Sequence, residues 1–269
     1  MLRVAHGEPA PSVMAVPEAT DDSTPRHGLH VVCQEGDGPQ IVIVHGGLDR
    51  ASSFGRVARQ LRGHRLIRYD RRGYGRSRAA GTASLEGHSQ DLIEVMGDRP
   101  SVLVGHSLGG VVCLLAATRR PELVTTVIAY EAPTPWLDWW PGGHAPPRDP
   151  GDEAEAFMRR MIGDDLWQRL PERTRSDRRA EGPALRLDMA SIRGPGAPLD
   201  VSVFPVPLIS AAGSESTWWH LRGAQALAEA APQGSYEEIT GAGHGIHLTH
   251  ARLFSELIAR VVPRSGSSA

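Results

Sequence analysis

Residues 105–109 read Gly-His-Ser-Leu-Gly, and the chain around them reads strand, sharp turn, helix. Pro100 precedes the apolar run Ser101–Val104. Gly105 to Gly110 follow, and Val111–Arg119 is apolar enough for a buried helix that Pro121 stops. In that setting a Gly-x-Ser-x-Gly stretch puts its serine at the apex of a strained strand-to-helix turn, with Oγ projecting out of a sheet. Glycines are required on either side because a Cβ would collide with the adjoining strand and helix. The Leu108 N–H and the positive helix N-terminus face the same spot, which suits a developing anion.

The flanking sequence supplies the sheet that such a turn needs. Leu29–Cys33 reads as a strand and Gly36-Asp37-Gly38 as a turn. Ile41–Val44 is four β-branched residues, the mark of a strand buried on both faces. Ser52–Leu61 and Leu85–Met96 read as helices on either side of the strand Arg65–Tyr69. Val124–Tyr130, Pro207–Ala212 and Tyr236–Ile239 are further strands, and Trp219–Ala230 and Ala251–Val262 further helices. With a short strand near Val13–Val16, Val124–Tyr130 is the sixth. Strands separated by helices imply an α/β fold, a mostly parallel sheet covered on both faces.

One block breaks the alternation. Glu131–Phe204 has several prolines, a Trp-rich stretch (Trp136, Trp139, Trp140) and two helices, near Glu153–Leu170 and Pro183–Arg193, but no strong strand. An insertion at the ligand-binding edge of an open sheet reads as a lid. The domain reading is a core of residues 25–131 and 205–263, a helical lid of residues 132–204 after the sixth strand, and flexible tails at 1–24 and 264–269.

The 269 residues can bury one large core. A net charge of −2 gives no field for nucleic acid or an anionic membrane. All 29 basic residues are arginine, which removes lysine-based chemistry. Cys33 and Cys113 lie in apolar runs and read as buried thiols. No signal segment or membrane-length apolar stretch is visible, so a cytoplasmic location is expected. The histidines lie on scattered loops without metal-ligand spacing, and the glycines after Val44 lack a dinucleotide fingerprint. Neither metal nor cofactor is expected, a small molecule is the expected partner, and the oligomeric state is open.

A serine nucleophile needs a base, and the base an orienting acid. His244, in Gly241-Ala242-Gly243-His244-Gly245 between the last strand and the last helix, is the candidate base. His247 points elsewhere on that loop, and His250 starts the final helix. His45-Gly46-Gly47 follows the Ile41–Val44 strand, where a second oxyanion donor is expected. Gly47 N–H and Leu108 N–H are therefore the candidate oxyanion hole, with His45 as a loop brace. The arginines of the Asp70–Ser77 loop are expected to pair with carboxylates. His106 is given a minor structural role.

In order and spacing, His45-Gly46-Gly47, Asp70-x-Arg72-Gly73-x-Gly75-x-Ser77, Gly105-His106-Ser107-Leu108-Gly109-Gly110 and Gly241-Ala242-Gly243-His244 resemble the α/β-hydrolase superfamily of serine hydrolases. The resemblance runs from about Gly28 to Val262. It implies cleavage of an ester, lactone or thioester through an acyl-Ser107 intermediate. The same scaffold also serves as a ligand receptor or a non-hydrolytic tailoring protein. The chain departs from the family pattern at the acid: the turn after the next-to-last strand reads Gly213-Ser214-Glu215-Ser216, with serine where aspartate is usual. Glu131, ending the Val124–Tyr130 strand, is the preferred substitute, and Glu215 is the alternative. Trp136, Trp139, Trp140, Trp218 and Trp219 are candidates for an apolar substrate pocket.

Overall fold

The computed structural model describes residues 28–142 and 146–262. The expected strand near Val13–Val16 and both tails lie outside these residues. Among the described residues seven strands form one sheet: β1 (Val31–Gln34), β2 (Gly38–Val44), β3 (His64–Tyr69), β4 (Ser101–His106), β5 (Val124–Tyr130), β6 (Leu208–Gly213) and β7 (Gly234–Ile239). Their order is β1-β3-β2-β4-β5-β6-β7. Every neighbouring pair is parallel except β1 with β3, which run antiparallel. Among the described residues the strand preceding the insertion is thus the fifth.

The period-two pleat sorts side chains between two cores. Val42, Val44, Leu103, Val127 and Ala129 face one, with residues of α2 (Leu85–Met96), α3 (Leu108–Arg119) and α8 (Trp218–Ala230). Ile41, Ile43, Val102, Val104, Ile128 and Tyr130 face the other, against α1 (Gly55–Gln60) and α10 (Ala251–Val261). Both faces being apolar explains why β2 reads as an unbroken hydrophobic run. The helix expected over Ser52–Leu61 is a 3₁₀ turn, Ala51–Phe54, continued by α1. Cys113 is buried, Cys33 is half-buried, and both are free thiols.

The turn between β4 and α3 has the strain its sequence implies. Ser107 sits at φ 53°, a left-handed conformation that side chains rarely adopt. A Cβ on Gly105 would overlap the Gly109 carbonyl and Gly110 Cα, and one on Gly109 would overlap the Val44 carbonyl. The glycines thus let α3 start hard against β2 and β4.

Among the described residues four α-helices, not two, lie between β5 and β6: α4 (Pro150–Ile162), α5 (Asp164–Arg169), α6 (Glu172–Ala180) and α7 (Gly182–Ile192). Gly163, at φ 83°, divides the first expected helix into α4 and α5. α6 reads Glu-Arg-Thr-Arg-Ser-Asp-Arg-Arg-Ala and buries no residue, so it has no apolar stripe for a pattern search to find.

A buried ion pair fastens this insertion to the sheet. Arg71, just past β3, donates to both carboxylate oxygens of Asp188 on α7, at 3.3 and 2.9 Å. Neither side chain is exposed. Tyr74 donates its hydroxyl to Asp188 at 2.6 Å, and His88 Nε2 lies 3.1 Å from the same carboxylate. Burial works to raise the Asp188 carboxyl pKa, but the Arg71 charge and the His88 bond outweigh it and hold the group well below the usual range. Asp188→Ala would leave the guanidinium buried without a counter-charge. The expected cost is about 3–5 kcal/mol, read as a lower denaturation midpoint at unchanged slope. A loss under about 1 kcal/mol would show that the pair does not secure the insertion.

Candidate active site

Ser107 is held at the sheet edge by its own N–H, which donates to the Tyr130 carbonyl at 2.8 Å. Leu108 begins α3, so its N–H is one of the unpaired donors at the helix N-terminus. The loop after β2 lies alongside: a Cβ on Gly46 would come within 3.0 Å of Ser107 Cβ. His45 fixes that loop from both ring nitrogens. Its Nδ1 lies 2.7 Å from the Gly46 carbonyl, and its Nε2 accepts the Arg71 N–H at 2.8 Å. Arg71 itself donates to the His45 and Gly46 carbonyls at 3.0 and 3.1 Å. Burial, reinforced by the Arg71 charge, lowers the His45 pKa to about 4 and keeps the ring neutral. Gly47 follows directly, covered by Leu185 of α7 and Phe157 of α4.

The carboxylate that meets His244 is Glu131. Its Oε2 lies 2.6 Å from His244 Nδ1, with the glutamate side chain wholly buried. Glu131 follows β5 at φ 49°, its N–H bonded to the Ala211 carbonyl on β6 at 2.8 Å. Its other oxygen accepts the Gly213 N–H at 2.9 Å and the Ser216 hydroxyl. Burial alone would raise the Glu131 pKa; the His244 bond and charge more than offset it and bring the pKa down to about 2. An ionised acceptor at Nδ1 puts the ring proton there and leaves the Nε2 lone pair free for a substrate-side proton. The loop carrying His244 is pinned from below. His106 Nε2 donates to the His244 carbonyl at 2.7 Å, and the Tyr130 hydroxyl donates to the Gly243 carbonyl at 2.9 Å.

Glu215 is exposed, and its side-chain partner is Ser214 at 3.5 Å, not a histidine. Ser216, at the family's usual acid position, instead bonds the relocated carboxylate. His220 was not singled out from the sequence. Its ring stacks on His244 at 4.7 Å and 13°, and its Nδ1 lies 3.4 Å from Glu131 Oε2. Its signal was a histidine following two tryptophans where a helix begins just past a core strand. Burial and the His244 charge lower its pKa to about 4, against the pull of Glu131.

The five candidate tryptophans divide into two groups. Trp139, Trp140, Trp218 and Trp219 form a chain of ring contacts that reaches His220, with Trp218 exposed and Arg222 over Trp139. Trp136 packs apart from them, against the α3-side core, beside a cavity of about 430 Å³ shared with Leu199 and Leu227. Phe157 and Leu185, over Gly47, carry no sequence signal that sets them apart from other apolar helix positions. A cavity of about 610 Å³ lies elsewhere, lined by Arg50, Arg68, Arg76 and Arg173 among others, and none of Ser107, Glu131 or His244 borders it.

The neutral buried histidines set a pH dependence. Unfolded, His45 and His220 take up protons below about 6.5; folded, they resist until about 4. The unfolded chain binds more protons in that window, so stability rises with pH from about 4 to about 6.5 and is lost on acidification. Calorimetry across this range should show a falling melting temperature, with a shallower slope in His220→Gln. A melting temperature that does not change with pH would contradict the assignment.

A family model described as the alpha/beta hydrolase family matches residues 41–257. The sn-1-specific diacylglycerol lipase ABHD11 of Mus musculus is 32% identical over 139 residues, 49% of this chain and 42% of that protein. The chain therefore spans less than half the length of that relative. A solved structure of an N-acyl homoserine lactone degrading enzyme superposes with a TM-score of 0.68 at 22% identity, over 87% of this chain and 98% of its own. The enol-lactonase from Burkholderia xenovorans LB400 superposes with a TM-score of 0.67 at 20% identity, over 87% and 95%. The structural likenesses speak for the fold, and the family match runs from β2 into α10: the chain belongs to the alpha/beta hydrolase family.

Proposed function

We propose that the protein is a serine hydrolase of carboxylic esters, lactones or thioesters, acting through an acyl-Ser107 intermediate. The observation that carries this is the 2.6 Å contact of Glu131 with His244 Nδ1, on a loop brought to the Ser107 turn. Ser107 Oγ attacks the carbonyl carbon as His244 Nε2 takes its proton. Glu131 stabilises the imidazolium and fixes its tautomer. The Gly47 and Leu108 N–H groups receive the tetrahedral oxyanion. Collapse expels the leaving group, which takes the proton from His244. Water, activated by the same histidine, then frees the acid and restores the serine.

Leu48, Phe157 and Leu185 give the α4–α7 side an apolar surface over Gly47, which suits a small to medium apolar acyl group. In this reading residues 132–204 act as the lid, the Trp139–Trp218 cluster flanks the histidine side, and the enzyme works in the cytoplasm. The relatives' names, a diacylglycerol lipase and two lactone-directed enzymes, are consistent with an acyl substrate. The receptor reading drew its weight from the missing aspartate, and Glu131 supplies a carboxylate in its place.

A fluorophosphonate probe should label the wild-type chain and not Ser107→Ala, and the variant should lose p-nitrophenyl ester turnover while staying folded. Near wild-type turnover in Ser107→Ala would sink the proposal. Glu131→Gln should cost about 10⁴-fold in kcat with little change in KM, while Glu215→Gln should leave both near wild type. Equal losses in the two variants would remove Glu131 from the triad.

A further inference from the structure

Behind the catalytic histidine lies a second set of chemistry-bearing side chains that the acyl-transfer mechanism does not use. Asp49, from the loop after β2, His106, from the end of β4, and His247, on the short helix α9 (Ile246–Thr249), converge there. Each offers a ligand atom within 4.8 Å of the other two. The histidines are 5% and 3% exposed, so the site is enclosed. Their positions in the chain, 49, 106 and 247, have no recognisable ligand spacing; only the fold brings them together.

Four polar atoms of this cluster are buried without a hydrogen-bond partner: Asp49 Oδ2, His106 Nδ1, and Nδ1 and Nε2 of His247. Asp49 Oδ2 and His247 Nε2 face each other as an ion pair at 3.2 Å. Buried polar atoms are nearly always satisfied, and one ion at this point would take one atom from each of the three residues, giving His106 Nδ1 the partner it lacks. The donor chemistry narrows the choice. His106 Nε2 faces a carbonyl, an acceptor only, so it carries the proton and Nδ1 presents a bare lone pair. A histidine bonded through one nitrogen to a carbonyl and free at the other has the arrangement of a metal ligand with its outer-shell support. Burial and the neighbouring imidazoles hold His106 neutral. Phe54 stacks on His247 at 4.4 Å and fixes that ring. Two imidazoles and a carboxylate suit a borderline divalent ion and leave its remaining position open.

We propose that Asp49, His106 and His247 bind one divalent transition-metal ion of the zinc type. Bonds of about 2.0–2.2 Å require the ligand atoms to draw together from their present spacing. Asp49, at the partly exposed edge, is the residue free to close. Because His106 also holds the His244 carbonyl, occupancy alters the loop bearing the base. The ion is therefore inhibitory, in a manner that ester does not relieve; this second consequence rests on the function proposed above, whereas binding itself does not.

The test titrates chelator-treated, full-length Ser107→Ala protein with Co²⁺, followed by visible absorption and calorimetry, and then displaces it with Zn²⁺. One equivalent should bind, with spectra of a low-symmetry nitrogen–oxygen site. Asp49→Asn and His247→Gln should each weaken binding by at least about tenfold, and His220→Gln should leave it unchanged. Circular dichroism checks folding, and either ligand variant alone suffices if the other fails to fold. In the wild type, Zn²⁺ should lower kcat without raising KM. Absence of saturable Co²⁺ binding would overturn the proposal. So would wild-type affinity in both ligand variants, or loss in His220→Gln alone, which would put the ion on the Glu131–His220–His244 cluster instead.

Discussion

One buried negative charge governs the geometry around Ser107. Glu131 is kept ionised not by an arginine among the described residues but by an imidazole, a backbone amide and a hydroxyl. A carboxylate taken out of water is costly unless such donors stand ready. Each donor comes from a different part of the sheet edge: His244 from the loop after β7, and Gly213 and Ser216 from the end of β6 and the turn beyond it. The left-handed residue at the end of β5 is what turns the side chain toward them. Move any one of these loops and the charge loses a partner, so their relative placement is fixed by a single electrostatic demand.

The parts of this arrangement that were legible from sequence are those with local causes. The Ser107 turn needs glycines that a clash enforces, and they are visible as Gly105, Gly109 and Gly110. Helix α2 and strand β5 were read at their observed ends, Leu85–Met96 and Val124–Tyr130, because apolar periodicity and flanking Ser, Gly and Pro mark them. Glu131 was legible as a charge ending a core strand. What escaped has non-local causes. α6 is held through its neighbours and shows no stripe of its own. His220 matters because its ring lies on a histidine 24 positions later, and no spacing announces that. Phe157 and Leu185 gain their place over Gly47 from how α4 and α7 are docked.

That docking runs through Arg71. Its guanidinium holds the carbonyls of His45 and Gly46 on one side and Asp188 of the insertion on the other. The inserted helices and the proposed oxyanion loop therefore share one cation. A helical cover attached only by apolar contact could slide without disturbing the loop beneath. Here a shift of α7 would have to leave a buried charge uncompensated or drag the Gly46 carbonyl with it, so substrate-facing shape and oxyanion geometry are mechanically joined.

The Ser216–Glu131 hydrogen bond also bears on how such a site can change over generations. An aspartate placed at 216 while Glu131 remains would set two carboxylates against one imidazole, and one of them would have to stay protonated. Removing Glu131 while serine remains leaves the imidazole with no acid. Each single step is a loss, and only a paired exchange keeps one negative charge per histidine. Positions 131 and 216, 85 residues apart in the chain, are thus coupled through a single hydrogen bond, and a change at one alters what the other can be.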